Sequence, residues 1–317
     1  METRKIIIDC DPGHDDVLAI MWALAIDSIE ILGITTVAGN QTIEKVTYNT
    51  LSTLTLLDRL NIPVAKGASQ PLVRELSIGG EVVHGDSGLE GPKIPEPRIN
   101  IIEKHAIEFI IETLENSDEP ITIVAVGPLT NIGYVLKLRP DLMNKIQEIS
   151  IMGGGTFGNY TPAAEYNIWA DAEAAKIVFN SGIPIIMAGL DATHQAYVTL
   201  EENEMLRQQG NKASVFAAEL IDHFIKFHLN VENLPGCTLH DPVAVAYLAY
   251  PEIFETELVN VDVEIKGQLT YGMTLVDRTD YLRKVFNQNT EKNTRFISFV
   301  NRELFVEKFL QDMKVLG

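Results

Sequence analysis

The stretch Lys5-Ile6-Ile7-Ile8-Asp9-Cys10-Asp11-Pro12-Gly13-His14-Asp15-Asp16 decides the fold. Its first half is an apolar, β-branched run of the kind that forms a strand covered on both faces of a parallel sheet. Aspartates then stand at positions 9, 11, 15 and 16, and a helical spacing follows at Val17, Leu18, Ile20, Met21 and Leu24. The carboxylates therefore sit where a strand ends and a helix begins. In an open α/β sheet, that crevice outside the strand carboxyl ends is where ligands bind. Asp9 and Asp11 alternate with Cys10, so they point the same way, while Asp15 and Asp16 open the helix. Capping and dipole preferences account for an aspartate or two at a helix start. They do not account for acids at the end of an apolar strand. Carboxylates this close repel one another unless something positive sits among them, and an all-oxygen donor set suits Mg²⁺ or Ca²⁺.

Outward from this stretch, strand-like runs alternate with helical patterns. The strands are expected at Lys5–Asp9, Glu30–Val37, Ile121–Val126, Ile146–Met152 and Ile183–Gly189. The helices are expected at Asp16–Ile26, Thr42–Leu60, Ile101–Leu114, Asn131–Leu138 and Asp171–Asn180. The alternation predicts an α/β fold, a mostly parallel open sheet with helices on both faces, Rossmann-like in arrangement. Glu201–Leu229 reads as helix broken near Gly210, and another helix starts near Asp241. The last third is less regular, with strands at Val259–Ile265 and Arg295–Val300 and a helix near Arg302–Met313. No repeat, low-complexity tract or linker divides the chain, so residues 1–317 read as one domain. Gly79–Pro97 is expected to be a long, mobile loop within it, and loops of that length tend to be functional or disordered.

The whole-chain balance narrows the function. Twenty-five basic against 44 acidic residues give a net charge of −19. That speaks against a nucleic-acid surface, which needs a basic stripe, and against anchoring on anionic lipid. No apolar run approaches the ~20 residues of a membrane helix. The first apolar segment is short and runs straight into aspartates, unlike a signal peptide. Two cysteines, Cys10 and Cys237, make neither a disulfide framework nor a zinc pattern. The expectation is a soluble, cytoplasmic protein acting on a small neutral substrate, with Cys10 packed under the site.

Later strand ends repeat the logic of the first. Ala38-Gly39-Asn40 presents a side-chain amide. Gly127-Pro128-Leu129-Thr130-Asn131 allows close backbone approach of a ligand, or is simply a turn capped by Thr130 or Asn131. Met152 leads into Gly153-Gly154-Gly155-Thr156-Phe157-Gly158-Asn159, which lacks the form of a dinucleotide or phosphate loop. Glu165-Tyr166-Asn167 puts a carboxylate and an amide on one side of an extended segment. His240-Asp241-Pro242 precedes a helix, where Asp241 serves as N-cap, metal ligand or both.

Taken together, these segments resemble the nucleoside hydrolases, the inosine–uridine-preferring nucleoside N-ribohydrolase family. The resemblance runs from Lys5 to about Asp241 and is most specific at Asp9-Cys10-Asp11-Pro12-Gly13-His14-Asp15-Asp16. It implies an N-glycosidase that splits ribonucleosides into ribose and free base with one bound Ca²⁺, in nucleoside salvage. By matching positions, Asp11, Asp16 and Asp241 would hold the ion together with the Val126 carbonyl. Asp15, Asn40 and Asn167 would grip the 2′ and 3′ hydroxyls. Asn159 and Glu165 would receive the 5′ hydroxyl beside Met152. Asp11 would be the general base. The resemblance also implies a homo-oligomer, a tetramer.

The leaving base needs neutralising, and the acid is sought among seven histidines. His105, His223 and His228 lie in helical patterns and are read as packing or surface residues. His194 is ambiguous, and His14, inside the metal motif, is given no role. His84 and His240 match histidines near the base in the pyrimidine-preferring branch and are the candidate catalytic pair. No tryptophan follows Asp241, where purine-stacking members carry one, which favours a pyrimidine or broad preference over a purine-preferring one. The aromatic residue that pyrimidine-preferring relatives show near position 232 is also missing. Tyr160 and Tyr166 are alternative aromatic surface. Two rivals stand beside this reading. A metal-dependent phosphohydrolase fits the Asp-x-Asp at a strand end, though Pro12 and Gly13 occupy the place of its hydroxyl. A non-catalytic ribose or nucleoside binder fits the pocket but has no use for Asp11 beside a metal.

Overall fold

In the computed structural model, which describes residues 3–286 and 291–316, the strands follow from β1 (Arg4–Cys10) and β2 (Ile29–Thr36) to β3 (Val64–Lys66), β4 (Ile121–Ala125), β5 (Ile146–Met152) and β6 (Ile185–Ala188). A short pair, β7 (Tyr197–Val198) and β8 (Cys237–Thr238), precedes β9 (Phe254–Val263), β10 (Thr274–Asp277) and β11 (Thr294–Val300). Nine of these make one sheet in the order β10-β9-β11-β6-β5-β4-β1-β2-β3. Every pairing from β3 through to β11 is parallel; β9 runs antiparallel to both β11 and β10. This is the expected sheet with an antiparallel edge.

The sheet is covered on both sides, as the apolar strands require. Ile6 and Ile8 belong to a layer containing Val17, Leu18 and Phe305, whereas Ile7 faces Ile110, Ile123 and Ile132. Alternate side chains of β1 thus feed opposite cores. The chain leaves β1 toward β2 and β3, then returns to lay β4, β5 and β6 on the other side. The gap between β1 and β4 is a topological switch point, and a crevice opens there at the strand carboxyl ends.

The expected helices form close to their expected bounds. The first runs His14–Ala25, others run Ile43–Leu56, Ala106–Asn116, Thr130–Leu138 and Ala172–Phe179, and the last runs Arg302–Val315. The long pattern after Glu201 breaks at Gly210, whose φ of +75° ends one helix, Leu200–Gln208, before Lys212–Phe227 begins. The three-residue β3 and four-residue β10 were not legible as strands, being too short to show a period. Gly79–Pro97 is less open than expected. It contains a helical turn at Glu81–His84, and His84 is only 4% exposed. No helix among the described residues is long and apolar enough to cross a membrane.

Candidate active site

The turn after β1 is organised by Asp16. Its Oδ1 accepts from the Asp11 amide at 3.0 Å and its Oδ2 from the Gly13 amide at 2.9 Å. The Asn40 amide group, delivered by the loop after β2, reaches Asp16 Oδ2 at 3.3 Å. Asp11 is held from the other side, its Oδ2 accepting from the Asn40 backbone N–H at 2.6 Å. Two glycines make room for it. A Cβ on Gly39 would lie 2.2 Å from Asp11 Oδ2, and one on Gly127 would lie 2.5 Å from Asp11 Oδ1. The sequence suggested that Gly127 admits a ligand. What approaches it is the Asp11 carboxylate. Gly13 has a similar reason, since a Cβ there would meet the His84 ring at 2.7 Å.

Asp9 departs from the initial picture. Its Oδ1 accepts from Thr35 Oγ1 at 2.5 Å and from Asn131 Nδ2 at 2.8 Å, so it fastens β1 to β2 and to the helix after β4. Burial pushes its carboxyl up to about 7, against these two hydrogen bonds. Thr130 and Asn131 do not cap their helix. Thr130 donates to Asp171, and Asn131 is occupied by Asp9. Cys10 is fully buried beneath the turn, as expected.

Asp241 arrives from the opposite direction, in the first turn of the helix His240–Ala249. Leu239, not Asp241, is the N-cap. Carboxylate oxygens of Asp15, Asp16 and Asp241 lie within 4.8 Å of one another, all buried. Asp11 Oδ1 is also buried and has no hydrogen-bond partner. Burial raises Asp11, Asp15 and Asp241 well above the usual carboxylate range, and their mutual repulsion adds to it. Asp16, with its backbone donors, rises only to about 6. Among the described residues, the ion-pair partner recorded for this group is His84, with Nε2 3.9 Å from Asp15 Oδ1, and burial keeps that imidazole neutral. A cluster of buried oxygen donors without a cation, one of them orphaned, fits a hard divalent ion.

The cleft beside this cluster is lined by Asp15, Asn40, Asn159, Glu165 and Asn167, together with Val126, Met152 and Asp241. Glu165 and Asn167 are not on an extended segment. Glu165 caps the helix Tyr166–Ala170, accepting from Asn167 N–H at 2.8 Å, and its other oxygen takes the Gly154 N–H at 2.8 Å. Burial raises its carboxyl to about 6. Cap and pocket residue coincide, because the first helical turn carries Asn167 to the same wall. Asn167 Nδ2 donates to the Val126 carbonyl at 2.9 Å and to Met152 O at 3.2 Å. Asn159 is fixed by accepting from the Tyr166 N–H at 3.1 Å.

The same cleft is also lined by aromatic and imidazole groups, with His84 beside Asp15. His84 is 2.9 Å from His14 through their Nδ1 atoms, and His14 Nε2 lies 2.8 Å from the Glu90 carbonyl. His14, given no role from sequence, is the support on which His84 rests. His240 Nδ1 contacts Thr193 Oγ1 at 2.8 Å, which leaves Nε2 for another partner. Its ring is 5.7 Å from that of His228, centre to centre. Burial pulls His84 and His240 well below the ordinary histidine value, with neighbouring imidazoles adding to the shift. His228, read from sequence as packing, and Glu232 also face the cleft. Their helical spacing hid them, although the family resemblance had already drawn attention to position 232.

Residues 6–307 match the family model described as inosine–uridine preferring nucleoside hydrolase. The chain belongs to that family. It is an N-glycosidase, a ribonucleoside hydrolase. A pyrimidine-specific ribonucleoside hydrolase, RihA of Shigella flexneri, is 47% identical over 311 residues, covering 98% of each chain. RihA of Escherichia coli O127:H6 is 46% identical over the same share. Among solved structures, a purine-preferring ribonucleoside hydrolase from Gardnerella vaginalis superposes with a TM-score of 0.90 at 34% identity, covering 99% of both chains. An inosine–uridine preferring hydrolase of Bacillus anthracis, 19% identical with a TM-score of 0.82, shares the fold. The hydrolase thus has near relatives whose names point to different bases.

Proposed function

We propose that this hydrolase is a Ca²⁺-dependent, pyrimidine-preferring enzyme that cleaves uridine and cytidine to ribose and free base. The observation that carries the reading is the cluster of buried, mutually repelling carboxylates in a cleft that also holds imidazoles kept neutral by burial. Similarity to RihA over nearly the whole chain supports the pyrimidine preference. Asp11, Asp16, Asp241 and the Val126 carbonyl would hold Ca²⁺, which supplies Lewis acidity that lowers the pKa of a water beside it.

The chain's own residues do the rest. Asp15, Asn40 and Asn167 hold the 2′ and 3′ hydroxyls, and Asn159 and Glu165 hold the 5′ hydroxyl beside Met152. Asp11 takes a proton from the attacking water as general base. The bond from C1′ to the base nitrogen breaks and the base departs with its electron pair. Positive charge grows on the ribose ring in an oxocarbenium-like transition state, and the surrounding carboxylates favour it. At the far end His240 serves the departing base, with His84 beside it closing the site. Burial keeps His240 neutral, so it serves the departing base as a hydrogen-bonding partner, and the base takes its proton from solvent.

The reading includes nucleoside salvage in the cytoplasm by a homotetramer, and sedimentation equilibrium tests the subunit count. The decisive experiment is chromatography of a mixture of uridine, cytidine, inosine and adenosine after incubation with protein and Ca²⁺. Uracil and cytosine should appear first. Hypoxanthine appearing first would move the enzyme to the purine side. Intact nucleosides throughout would sink the catalytic reading in favour of a binding protein.

A further inference from the structure

One hydroxyl beside the cleft has no part in the reaction above. Tyr166 opens the helix Tyr166–Ala170 between Glu165 and Asn167, and its half-buried side chain lines the cleft. Its phenol oxygen meets the loop after β2, where it donates to the Gly39 carbonyl at 2.6 Å. The Ser77 carbonyl lies farther off, at 3.1 Å. A hydroxyl has one proton to donate, and the shorter contact takes it. The same oxygen accepts from the Gly79 N–H at 3.1 Å. A Cβ on Gly79 would lie 2.1 Å from the Tyr166 ring, so only glycine lets that backbone come so close. Burial pushes the phenol pKa up, and the hydroxyl therefore keeps its proton.

The Gly39 carbonyl and the Asn40 N–H are two halves of one planar peptide group. That N–H donates to Asp11 Oδ2 at 2.6 Å. A chain of contacts thus runs from the Tyr166 hydroxyl, through a single rigid peptide, to a catalytic carboxylate. Asp11 divides its two oxygens. Oδ2 is held by the Asn40 N–H, while Oδ1 is buried and has no hydrogen-bond partner. The free oxygen is the one able to take a proton from water, and its direction follows from how Oδ2 is held. Fixing the carbonyl fixes the N–H, because the peptide is planar. A hydrogen bond at the carbonyl also polarises the peptide and strengthens the N–H as a donor, and the Gly79 N–H does the same for the phenol. We propose that Tyr166 is a positioning residue for the hydrolysis, its hydroxyl setting the Gly39–Asn40 peptide and through it the aim of Asp11 at the attacking water; this rests on the reading of Asp11 as general base. A misdirected base costs rate without weakening the hold on the substrate.

The experiment compares the parent with Tyr166→Phe, which keeps the ring and loses only the donor. The single-turnover rate and KM are measured with saturating Ca²⁺ on uridine and on nitrophenyl riboside. The rate should fall by about three- to tenfold, the reach of one hydrogen bond between neutral groups. The fall should be alike on both substrates, since activation of water is common to them, and KM should stay within about twofold. Tyr166→Met, which fills similar space without a donor, makes the same comparison if the phenylalanine variant does not fold. The second measurement repeats the substitution in Asp11→Asn, on nitrophenyl riboside, whose ready departure keeps the residual rate measurable. With the basic carboxylate gone there is nothing to aim, so Y166F should cost less than about twofold there. An equal loss in both backgrounds overturns the inference, because Tyr166 then acts elsewhere. A raised KM at an unchanged rate overturns it too, and makes Tyr166 a wall of the ribose site. Asp11→Asn that cleaves at the parent rate removes instead the reading on which the inference stands.

Discussion

The two ends of the cleft are built differently. The carboxylate cluster gathers at the strand ends at the centre of the sheet, on the turn after β1, the loop after β2 and the first helical turns that carry Asp15, Asp16 and Asp241, and there Asp11, Asp16 and Asn40 are locked by backbone hydrogen bonds and by glycines that leave no slack. The imidazole end hangs on helix termini and turns, with His84 on a single helical turn, Glu232 on a π-turn and His240 on the first turn of a helix. Hydrolases named for purines and for pyrimidines share this fold closely. A sheet centre tolerates little change, while helix ends and turns accept substitution. On the proposed reading, bond-breaking belongs to the first region and the choice of base to the second, and substitutions in each should behave accordingly.

The largest effect is expected at the carboxylate end. Removing the cation with a chelator, or one of its holders by Asp16→Ala, should abolish turnover of every nucleoside, since the remaining buried carboxylates would then repel one another or take up protons. The alanine variant also loses the acceptor that fixes the Asp11 and Gly13 amides. Ribose release followed by a reducing-sugar assay measures it. Activity unchanged after exhaustive chelation would remove the metal from the site.

Asp11→Asn comes next. It keeps the shape and one oxygen but not the basicity, and loss of a general base costs about 10²–10⁴ in rate. Nucleoside binding, followed by calorimetry, should survive at least in part. A variant that cleaves uridine at the parent rate would strip Asp11 of its role.

The same contrast explains what could be read from the chain. Asp11, Asp15 and Asp16 stand within six positions of one another after an apolar strand, so a local pattern revealed them. Asn40 and Asp241 stood out because each follows or opens a regular element, whereas Val126 entered only through the family resemblance. The other end carries no such local mark. His84 bonds the His14 amide across 70 positions and closes over Gly13, and nothing near His84 in sequence predicts those contacts. His14 was given no role because the family varies at that place in the metal motif, whereas here it supports His84, far along the chain. His228 and Glu232 sit at helical spacing, where apolar surroundings disguise a residue that faces a pocket. Glu165 was placed on an extended segment because the helix it caps through the Asn167 and Ile168 amides is only five residues long, too short to show a period.

At the imidazole end, His240→Ala should separate substrates by how much help their leaving groups need. A natural pyrimidine departs as a poor anion, whereas nitrophenolate leaves without a proton. The variant should therefore lose on uridine about 10² more than on nitrophenyl riboside. His84→Ala should show a smaller gap, because a residue resting on His14 and packed over Gly13 closes the site rather than serving the base. Values of kcat/KM on both substrates decide it. Equal losses for His240→Ala would make that residue a support for Asp241.

The smallest effect concerns how the imidazole end is held together, and it is read in stability instead of rate. His14 stacks on His84, with ring centres 5.1 Å apart, and on His223 at 5.0 Å. Burial lowers its pKa from 6.5 to about 4. Between those values the unfolded chain binds a proton at this position that the folded chain refuses. Folding stability contributed by the neutral ring is thus complete above pH 6.5 and is lost as pH falls toward 4, by about 1.4 kcal/mol per pH unit and up to about 3 kcal/mol in all. Asp9 works in the opposite sense, because its carboxyl, raised to about 7, holds a proton in the folded state that the unfolded state releases above 3.8. The parent curve alone therefore mixes the two. Comparison with His14→Gln, which does not titrate, isolates the histidine while leaving Asp9 in both proteins. Urea unfolding at fixed, saturating Ca²⁺ should find the parent losing stability relative to the variant as pH drops from 6.5 to 4.5. Parallel curves would mean that His14 takes up its proton in the folded protein as easily as in water, and that the stacked imidazoles are not held neutral by burial.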